Sequence, residues 1–328
     1  MLLITVVGLT RYNTKGNGIA NEENLYHTCR NPGAPQERGF ELLLDIWICP
    51  GFSVQSFGLK VGTSRNYQTQ GIILKQAKLG EFDKIVTIYT PEYGKLRAVA
   101  KGACRPKSKL GGNVEPLTHS LMLMAKGRHL DIVTQSQTIN GFLPLKSDLW
   151  RMACGLYLLE LVDSFTVEGG ENRPLFDLLL YILQQLSEPD TNETALRYFE
   201  LHLLTCLGYH PQLRRCVDCD SPIKPVVNFF SPDKGGLLCP HCHSEENRRY
   251  EQIEAIPAKP SLPLSVQALK VLRLWQTCDY ATARRVRVKP ELSGELERVL
   301  CNYIRYILQR ELKSLAWLKQ LRRETVSL

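Results

Sequence analysis

Two Cys-x-x-Cys pairs, separated by 19 residues, constrain the folding of this 328-residue chain more than any other feature of its sequence. The four residues are Cys216, Cys219, Cys239 and Cys242. Each pair of thiolates can bind one side of a metal ion, and a hairpin between the pairs would bring them together for tetrahedral coordination. The intervening residues contain VVNFF, which favours a strand, and SPDKGG, which favours a turn. The spacing therefore predicts one Zn²⁺, with an iron–sulfur cluster or a redox-active dithiol as the alternatives.

Four protein ligands leave no coordination position for water or a substrate, so we expect this zinc to be structural. His210, His241 and His243 are close in sequence and are competing ligands, although the doubled pair favours the cysteines.

The other seven cysteines follow no framework spacing, which is typical of a reducing compartment. The chain has no run of about 18 uncharged apolar residues, and its apolar start lacks a basic segment. We therefore expect a cytoplasmic protein with no membrane span or secretory signal.

The basic residues of the chain are concentrated in one segment. Residues 66–150 carry 12 Lys or Arg against 6 Asp or Glu, which is six of the net eight positive charges. The stretch KGACRPKSKLGG contributes Lys101, Arg105, Lys107 and Lys109, and we expect Lys95, Arg97, Lys126 and Arg128 to extend the same face. A flexible cationic loop neutralises phosphates without reading base sequence, which favours a nucleic-acid interface. A merely solvated, solubilising surface is the alternative.

Hydrophobic patterning divides the chain into three parts. Residues 1–65 show no sustained period, so we expect a poorly ordered extension; no Met lies between Met1 and Met122, and translation from a non-Met codon near Val61 would leave this extension out. Residues 66–146 contain about five short β-branched runs with turn signals between them, which favours a small antiparallel β-barrel of the OB-fold type. Tyr67, Phe82, Tyr89 and Tyr93 are candidates for base stacking, although we expect them in the core.

From Ser147 the apolar period becomes helical. The pattern predicts helices that begin at Ser147 or Asp148, near Pro174 and at Asn192, and further helical sequence runs from Ser265 to Asp279 and from Leu292 to Leu321. We therefore predict an α+β protein in which residues 147–212 and 250–328 form one helical domain. Residues 213–249 would be a four-cysteine zinc-finger insertion within it.

Sequence motifs for catalysis are missing. The chain has no Gly-x4-Gly-Lys-Ser/Thr phosphate loop, no Gly-x-Gly-x-x-Gly fingerprint, no Gly-x-Ser-x-Gly elbow and no His-Glu-x-x-His. We therefore expect a non-enzymatic, DNA-binding protein. A helical protein-interaction scaffold with a structural zinc and no direct role on DNA is the alternative.

Two stretches of the chain resemble the RecO family of bacterial recombination mediators. They are GIILKQAKLGEFDKIVTIYTPEYGKLRAVAKGACRPKSKLGG, at residues 71–112, and LLTCLGYHPQLRRCVDC, which leads into the cysteine segment. Cys104 stands where the family pattern leads us to expect Arg, and the first 65 residues have no counterpart.

This resemblance implies a role in DNA repair and recombination in the bacterial cytosol or nucleoid. Proteins of the family bind single- and double-stranded DNA, anneal complementary strands covered by single-strand-binding protein, and act with RecR to help load RecA. The matching positions are Lys101, Arg105, Lys107 and Lys109 for DNA, and the four cysteines for zinc.

Overall fold

A computed structural model of the protein describes residues 65–189, 193–251 and 261–326. The expectation of a poorly ordered extension over residues 1–65 lies outside these ranges, apart from Arg65 at its end. Among the described helices, none combines the length and the apolar character that crossing a membrane requires.

Five strands form the first part of the described chain. They are β1 (Asn66–Leu79), β2 (Asp83–Thr90), β3 (Gly94–Ala100), β4 (His119–Ala125) and β5 (Asp131–Asn140). They close into a barrel in the order β1-β2-β3-β5-β4, with β4 pairing back onto β1. The β-branched and aliphatic residues that predicted these strands fill its interior, including Ile73, Val86, Ile88, Met122 and Val133.

The barrel is mixed, and the predicted antiparallel pairing holds for four of its five strand pairs. β3 and β5 pair in parallel, whereas the other four pairings are antiparallel. A closed ring of strands that alternate in direction needs an even number of members. Five strands must therefore contain one parallel pair, and here the long β3–β4 connection places it between β3 and β5.

Strand direction gives the barrel two chemically different ends. β1, β3 and β5 run one way, and β2 and β4 run the other. The β1–β2 turn (residues 80–82) and the β3–β4 connection (residues 101–118) therefore lie at one end, which we call the loop end. The β2–β3 and β4–β5 turns lie at the opposite end, about 20 Å away for strands of this length.

Helices form most of the remaining chain. They are α1 (Leu143–Lys146), α2 (Leu149–Phe165), α3 (Arg173–Leu186), α4 (Thr194–Cys206), α5 (Pro240–Glu251), α6 (Val266–Trp275), α7 (Tyr280–Ala283), α8 (Pro290–Leu308) and α9 (Lys313–Val326). The Asp148 side chain caps α2 by accepting a hydrogen bond from the Arg151 amide, as the sequence predicted. All of these helices except α5 make up what we call the helical body.

The helical sequence that runs from Leu292 to Leu321 is broken, which the apolar period did not reveal. Gln309 takes a left-handed conformation (φ 52°) and ends α8. The Glu160 carboxylate on α2 accepts hydrogen bonds from the Lys313 and Ser314 amides at the start of α9. A side chain from another helix thus satisfies the first amides of α9, a tertiary contact with no local sequence signal.

The cysteine segment is built around a small sheet of β6 (Asn228–Ser231), β7 (Gly236–Leu238) and β8 (Leu262–Leu264), in the order β7-β6-β8. β8 lies beyond residue 249, where the sequence led us to end the insertion. Phe230 packs edge-on against Tyr303 of α8, with ring centroids 5.2 Å apart. The small sheet is therefore joined to the core of the helical body.

The barrel and the helical body also share apolar contacts. Ile72, Leu74 and Tyr89 of the barrel belong to the same buried cluster as the core of the body. The Tyr89 ring lies 6.3 Å from that of Phe176, and its hydroxyl donates to the Asn172 carbonyl at 3.3 Å. One side of the barrel is therefore covered by helices.

Candidate metal centre and nucleic-acid interface

The four cysteines of the two Cys-x-x-Cys pairs form one cluster. The sulfur atoms of Cys216, Cys219, Cys239 and Cys242 all lie within 4.8 Å of one another, and those of Cys219 and Cys239 are 3.9 Å apart. Zn–S bonds of about 2.3 Å in a tetrahedron place sulfur atoms about 3.8 Å apart. The cluster therefore has the donor type, the donor number and the spacing that a zinc ion requires.

Two tight turns bring the cysteines together. Cys216 and Cys219 flank a turn in which the Asp220 amide donates to the Cys216 carbonyl, and Arg215 holds the Asp220 carboxylate through two hydrogen bonds of 2.7 and 2.8 Å. Cys239 directly follows β7, and Cys242 lies in the first turn of α5. The Cys239 amide also points at the Cys216 sulfur, at 3.4 Å. The site is thus assembled by backbone turns on a packed sheet.

The protonation of the thiols differs within the cluster. Hydrogen bonding from Ser221 lowers the pKa of Cys219 to about 6, whereas burial raises the pKa of Cys242. A thiolate is the form that binds metal.

The histidines that could have competed as ligands have other contacts. His243 stacks on Phe229 with ring centroids 3.6 Å apart, and its two nitrogens face Ser261 and Asn247. His210 pairs with the Thr205 hydroxyl, and His241 is exposed beside Glu245. The metal-ligand cluster found in the described residues contains the four cysteines and no histidine.

The loop end of the barrel carries the basic loop that the sequence singled out. Lys101, Arg105, Lys107 and Lys109 are all exposed. The loop is anchored on the β1–β2 turn, because the Cys104 amide donates to the Phe82 carbonyl (2.9 Å) and the Gly102 amide donates to Asp83 (2.7 Å). The cationic side chains thus project from a backbone that is partly fixed.

Two further cations of the loop end were missed in the sequence. Lys78 and Lys84 face each other directly across the β1–β2 ladder. Like charges directly opposite each other destabilise a hairpin. Their pairing therefore indicates that these two cations serve a purpose other than stabilising the hairpin. Strand register brings them together, and no local spacing signals it.

The six cations of the loop end form no ion pair in the described chain, although Glu81 lies in the same turn. The ion pairs of the barrel in the described ranges involve Lys75, Lys95, Arg97 and Lys126, and none involves the loop-end cations. An excess of positive charge at one end of a small barrel creates a potential that attracts polyanions.

The four residues expected to extend the same face as the loop lie elsewhere on the barrel, and their role in nucleic-acid binding stays a prediction. Lys95 has only 12% of its side chain exposed and contacts Asp163 of α2, and Arg97 lies 3.7 Å from Glu168. Lys126 and Arg128 lie in the β4–β5 turn, at the opposite end of the barrel. Sequence distance gives no information on strand direction around a closed ring, which is why these residues were grouped with the loop.

The aromatic side chains of the barrel also differ from expectation in part. Tyr89 is fully buried, as predicted, but Phe82 is 50% exposed and Tyr93 is exposed as well. Tyr67 and Tyr93 pack at the opposite end in a tilted arrangement, with centroids 4.9 Å apart, and the Lys126 ammonium covers Tyr67 at 4.5 Å. Phe82 lies at the loop end, where the Arg105 guanidinium is 5.3 Å from its ring centroid.

The helical body contains a separate concave site. A cavity of about 520 Å³ lies between α8 and α9. Its lining combines the apolar side chains Ile304, Leu312 and Leu315 with the cations Arg298 and Lys319.

Comparison with known proteins gives matches along the described chain. The family model described as "Recombination protein O N terminal" matches residues 64–142, and "Recombination protein O C terminal" matches residues 146–316. The "DNA repair protein RecO" of Dehalococcoides mccartyi strain 195 is 36% identical over 258 residues, which cover 79% of this chain and 97% of that protein. The protein of the same name from Roseiflexus sp. strain RS-1 is 39% identical over 258 residues, covering 79% and 87%.

Proposed function

The chain belongs to the recombination protein O family of DNA repair proteins, and from this premise we propose that it is a non-enzymatic mediator that binds DNA through the loop end of its barrel. The observation that carries the proposal is the set of six cations there that have no acidic partner in the described chain: Lys78, Lys84, Lys101, Arg105, Lys107 and Lys109. Their side chains would contact phosphates and replace the counterions that single-stranded DNA carries.

Binding of this kind has a defined consequence for mechanism. Ammonium groups on flexible stems contact phosphates with little base readout, so binding is tolerant of sequence and falls steeply with salt. Neutralising the phosphates of two strands on one surface reduces their mutual repulsion. The loop end would thereby promote annealing of complementary strands, including strands displaced from single-strand-binding protein, without covalent chemistry.

The remaining parts of the proposal concern the cysteines and the partners. Cys216, Cys219, Cys239 and Cys242 would hold one structural Zn²⁺, which stabilises the joint between the small sheet and the helical body. The family also leads us to propose RecR and single-strand-binding protein as partners, with RecA loading as the outcome. These partners would contact the helical body, since one side of the barrel is covered and its loop end is occupied by DNA.

The test is single-strand affinity measured across a salt series. Changing Lys101, Arg105, Lys107 and Lys109 together to Ala removes up to four phosphate contacts, so the slope of log affinity against log salt should decrease by about 3. The matched control changes Lys270, Arg284, Arg287 and Lys289 of the helical body to Ala, which alters net charge equally. An unchanged affinity and slope in the loop variant would exclude the loop as the contact.

The cavity between α8 and α9 favours a second candidate, a protein-interaction scaffold with no direct role on DNA. Its lining combines apolar side chains with more cations than acids, which suits a protein segment with apolar and acidic side chains. This alternative requires partner capture that survives about 0.5 M salt, where surface charges are screened, together with negligible DNA binding. Salt-sensitive DNA binding by the unaltered protein would count against it.

A further inference from the structure

Phe82 is an aromatic side chain left exposed in the middle of a cationic surface. Half of its area is accessible, although it lies next to a barrel whose Tyr89 is fully buried. The exposed half of the ring forgoes the stabilisation that burial of its apolar surface would give. Leu79, three residues earlier in the same hairpin, is exposed too. An exposed aromatic beside unpaired cations indicates a ligand with both a flat apolar part and negative charge.

The position of Phe82 is fixed before any ligand arrives. Its carbonyl accepts a hydrogen bond from the Cys104 amide (2.9 Å), and the neighbouring Asp83 carboxylate accepts one from the Gly102 amide (2.7 Å). The Arg105 guanidinium lies over the ring, 5.3 Å from its centroid. Two chain segments therefore hold the turn, so little conformational entropy remains to be lost when the ring is covered.

The surroundings define the class of ligand. Lys78 and Lys84 face each other, each two positions from an end of the Gly80–Phe82 turn. Lys101 and Arg105 flank the same turn from the β3–β4 connection. Cations of this kind bind phosphates, whereas a ring of this kind stacks on a nucleobase. In a duplex the faces of the bases are covered by their neighbours, but in a single strand they are accessible.

We propose that Phe82 stacks on a base of single-stranded nucleic acid whose phosphates are bound by the loop-end cations, so that this turn favours unpaired over paired strands. The inference rests on the proposed function, because it requires the loop end to bind DNA. It adds a means of discrimination that point charges lack. Arg105 then has two roles, since its guanidinium supports the ring and contacts the backbone.

The experiment compares Phe82→Ala with the unaltered protein on three ligands of equal length: a thymidine oligonucleotide, an abasic oligonucleotide with the same phosphates, and a duplex. Affinity is measured by fluorescence anisotropy at one fixed salt concentration. Loss of one stacked base should weaken thymidine binding by about 5- to 150-fold. Binding of the abasic strand and of the duplex should change less than about twofold.

Two further variants separate stacking from apolar contact and from folding. Phe82→Leu keeps apolar volume but loses the aromatic face, so it should bind the thymidine strand as weakly as Phe82→Ala. Phe82→Trp should restore affinity. Because the side chain is half exposed, all three variants should unfold at the same denaturant concentration as the unaltered protein.

Each other outcome would overturn the inference in a recognisable way. Equal losses on all three ligands would mean that Phe82 only positions the basic loop. No loss on the thymidine strand, with salt-dependent binding intact, would remove the stacking role but leave the proposed function standing. Absence of salt-dependent binding by the unaltered protein would remove both.

Discussion

The helical body and the loop end of the barrel use the same charged residue types in opposite ways. In the body, Arg197 has 3% of its side chain exposed and lies 3.0 Å from the fully buried Glu200, while Arg322 bridges Glu193 and Glu297 at 2.9 and 2.6 Å. At the loop end, six cations have no acidic partner in the described chain. Charged side chains that are paired within the protein belong to its folded structure. Cations that have no ion-pair partner remain available to bind an anionic ligand.

This contrast explains why net charge was informative only after it was divided along the chain. Residues 151–328 hold 23 Lys or Arg and 22 Asp or Glu, in near balance, and the contacts described above show some of these charges paired inside the body. The barrel segment holds the excess. This contrast would be contradicted if removing charges from the helical body lowered the affinity for DNA. It would also be contradicted if removing the loop-end cations lowered the free energy of unfolding.

The largest effect is expected at the cysteine cluster. Cys216→Ser should abolish binding of one zinc per chain and lower the free energy of unfolding by about 5 kcal/mol or more, because metal binding contributes directly to folding at such sites. Single-strand affinity should change less than about twofold. Metal analysis, denaturant unfolding and anisotropy measure the three quantities.

Cys278→Ser is the control for the loss of a thiol, since Cys278 is a half-buried cysteine outside the cluster. It should retain zinc and stability. Unchanged stability in Cys216→Ser, accompanied by loss of DNA binding, would contradict the assignment of the cysteines to structure.

The next effect concerns the buried ion pair. Arg197→Met leaves the buried Glu200 carboxyl without its cationic partner, so it should destabilise the protein by about 3–5 kcal/mol. Arg173→Met is the control, because Arg173 and Asp177 form an exposed pair at 3.9 Å, and its change should stay within about 0.5 kcal/mol. Unfolding in urea measures both.

A double variant tests whether the destabilisation comes from the unpaired carboxyl group. Changing Arg197 to Met and Glu200 to Leu together removes both charges, so a large part of the lost stability should return. If the double variant is as unstable as Arg197→Met, the loss would come from packing and not from an unpaired charge.

Much of the fold could be predicted because its signals are local. Runs such as KIVTIYT predicted β2, and Asp148 predicted the start of α2, since β-branched residues and capping side chains act within a few residues. The cysteine cluster was predictable for the same reason, because each Cys-x-x-Cys pair is itself a local chelating unit.

The features that could not be predicted depend on contacts distant in sequence. The direction of each strand around the barrel placed Lys126 and Arg128 away from the basic loop, and the β1–β2 register paired Lys78 with Lys84. After the break at Gln309, the start of α9 is capped by Glu160, which is 153 residues away from Lys313 along the chain. Composition and period carry no information on any of these.

The third effect is a dependence of stability on pH in the helical body. Burial raises the pKa of Glu200 to about 7 from the usual value of 4.5, against the opposing influence of Arg197. The folded chain therefore binds more protons than the unfolded chain between these values, so this contribution to stability is lost as pH rises through about 7.

Glu200→Gln should remove this loss. The slope of unfolding free energy against pH, measured between pH 5 and 7, should become less negative by at most about 1.4 kcal/mol per pH unit. The exposed Glu291→Gln is the control and should leave the slope unaltered. An identical slope in both variants would show that Glu200 does not titrate in this range.

The smallest effect is expected within the barrel, between its two ends. Lys78→Ala combined with Lys84→Ala should reduce the salt slope of single-strand binding by about 1.4, since two phosphate contacts are lost. Lys126→Ala combined with Arg128→Ala should change single-strand affinity less than about twofold, because Lys126 already contacts Asp131 at 3.2 Å and covers Tyr67. The two double variants carry the same change in net charge, so any difference between them reflects position. If the two double variants reduced the salt slope equally, the DNA strand would follow the whole length of the barrel. The uncharged outer side of β5, where Thr134 and Gln137 are exposed, would then have to lie under the DNA.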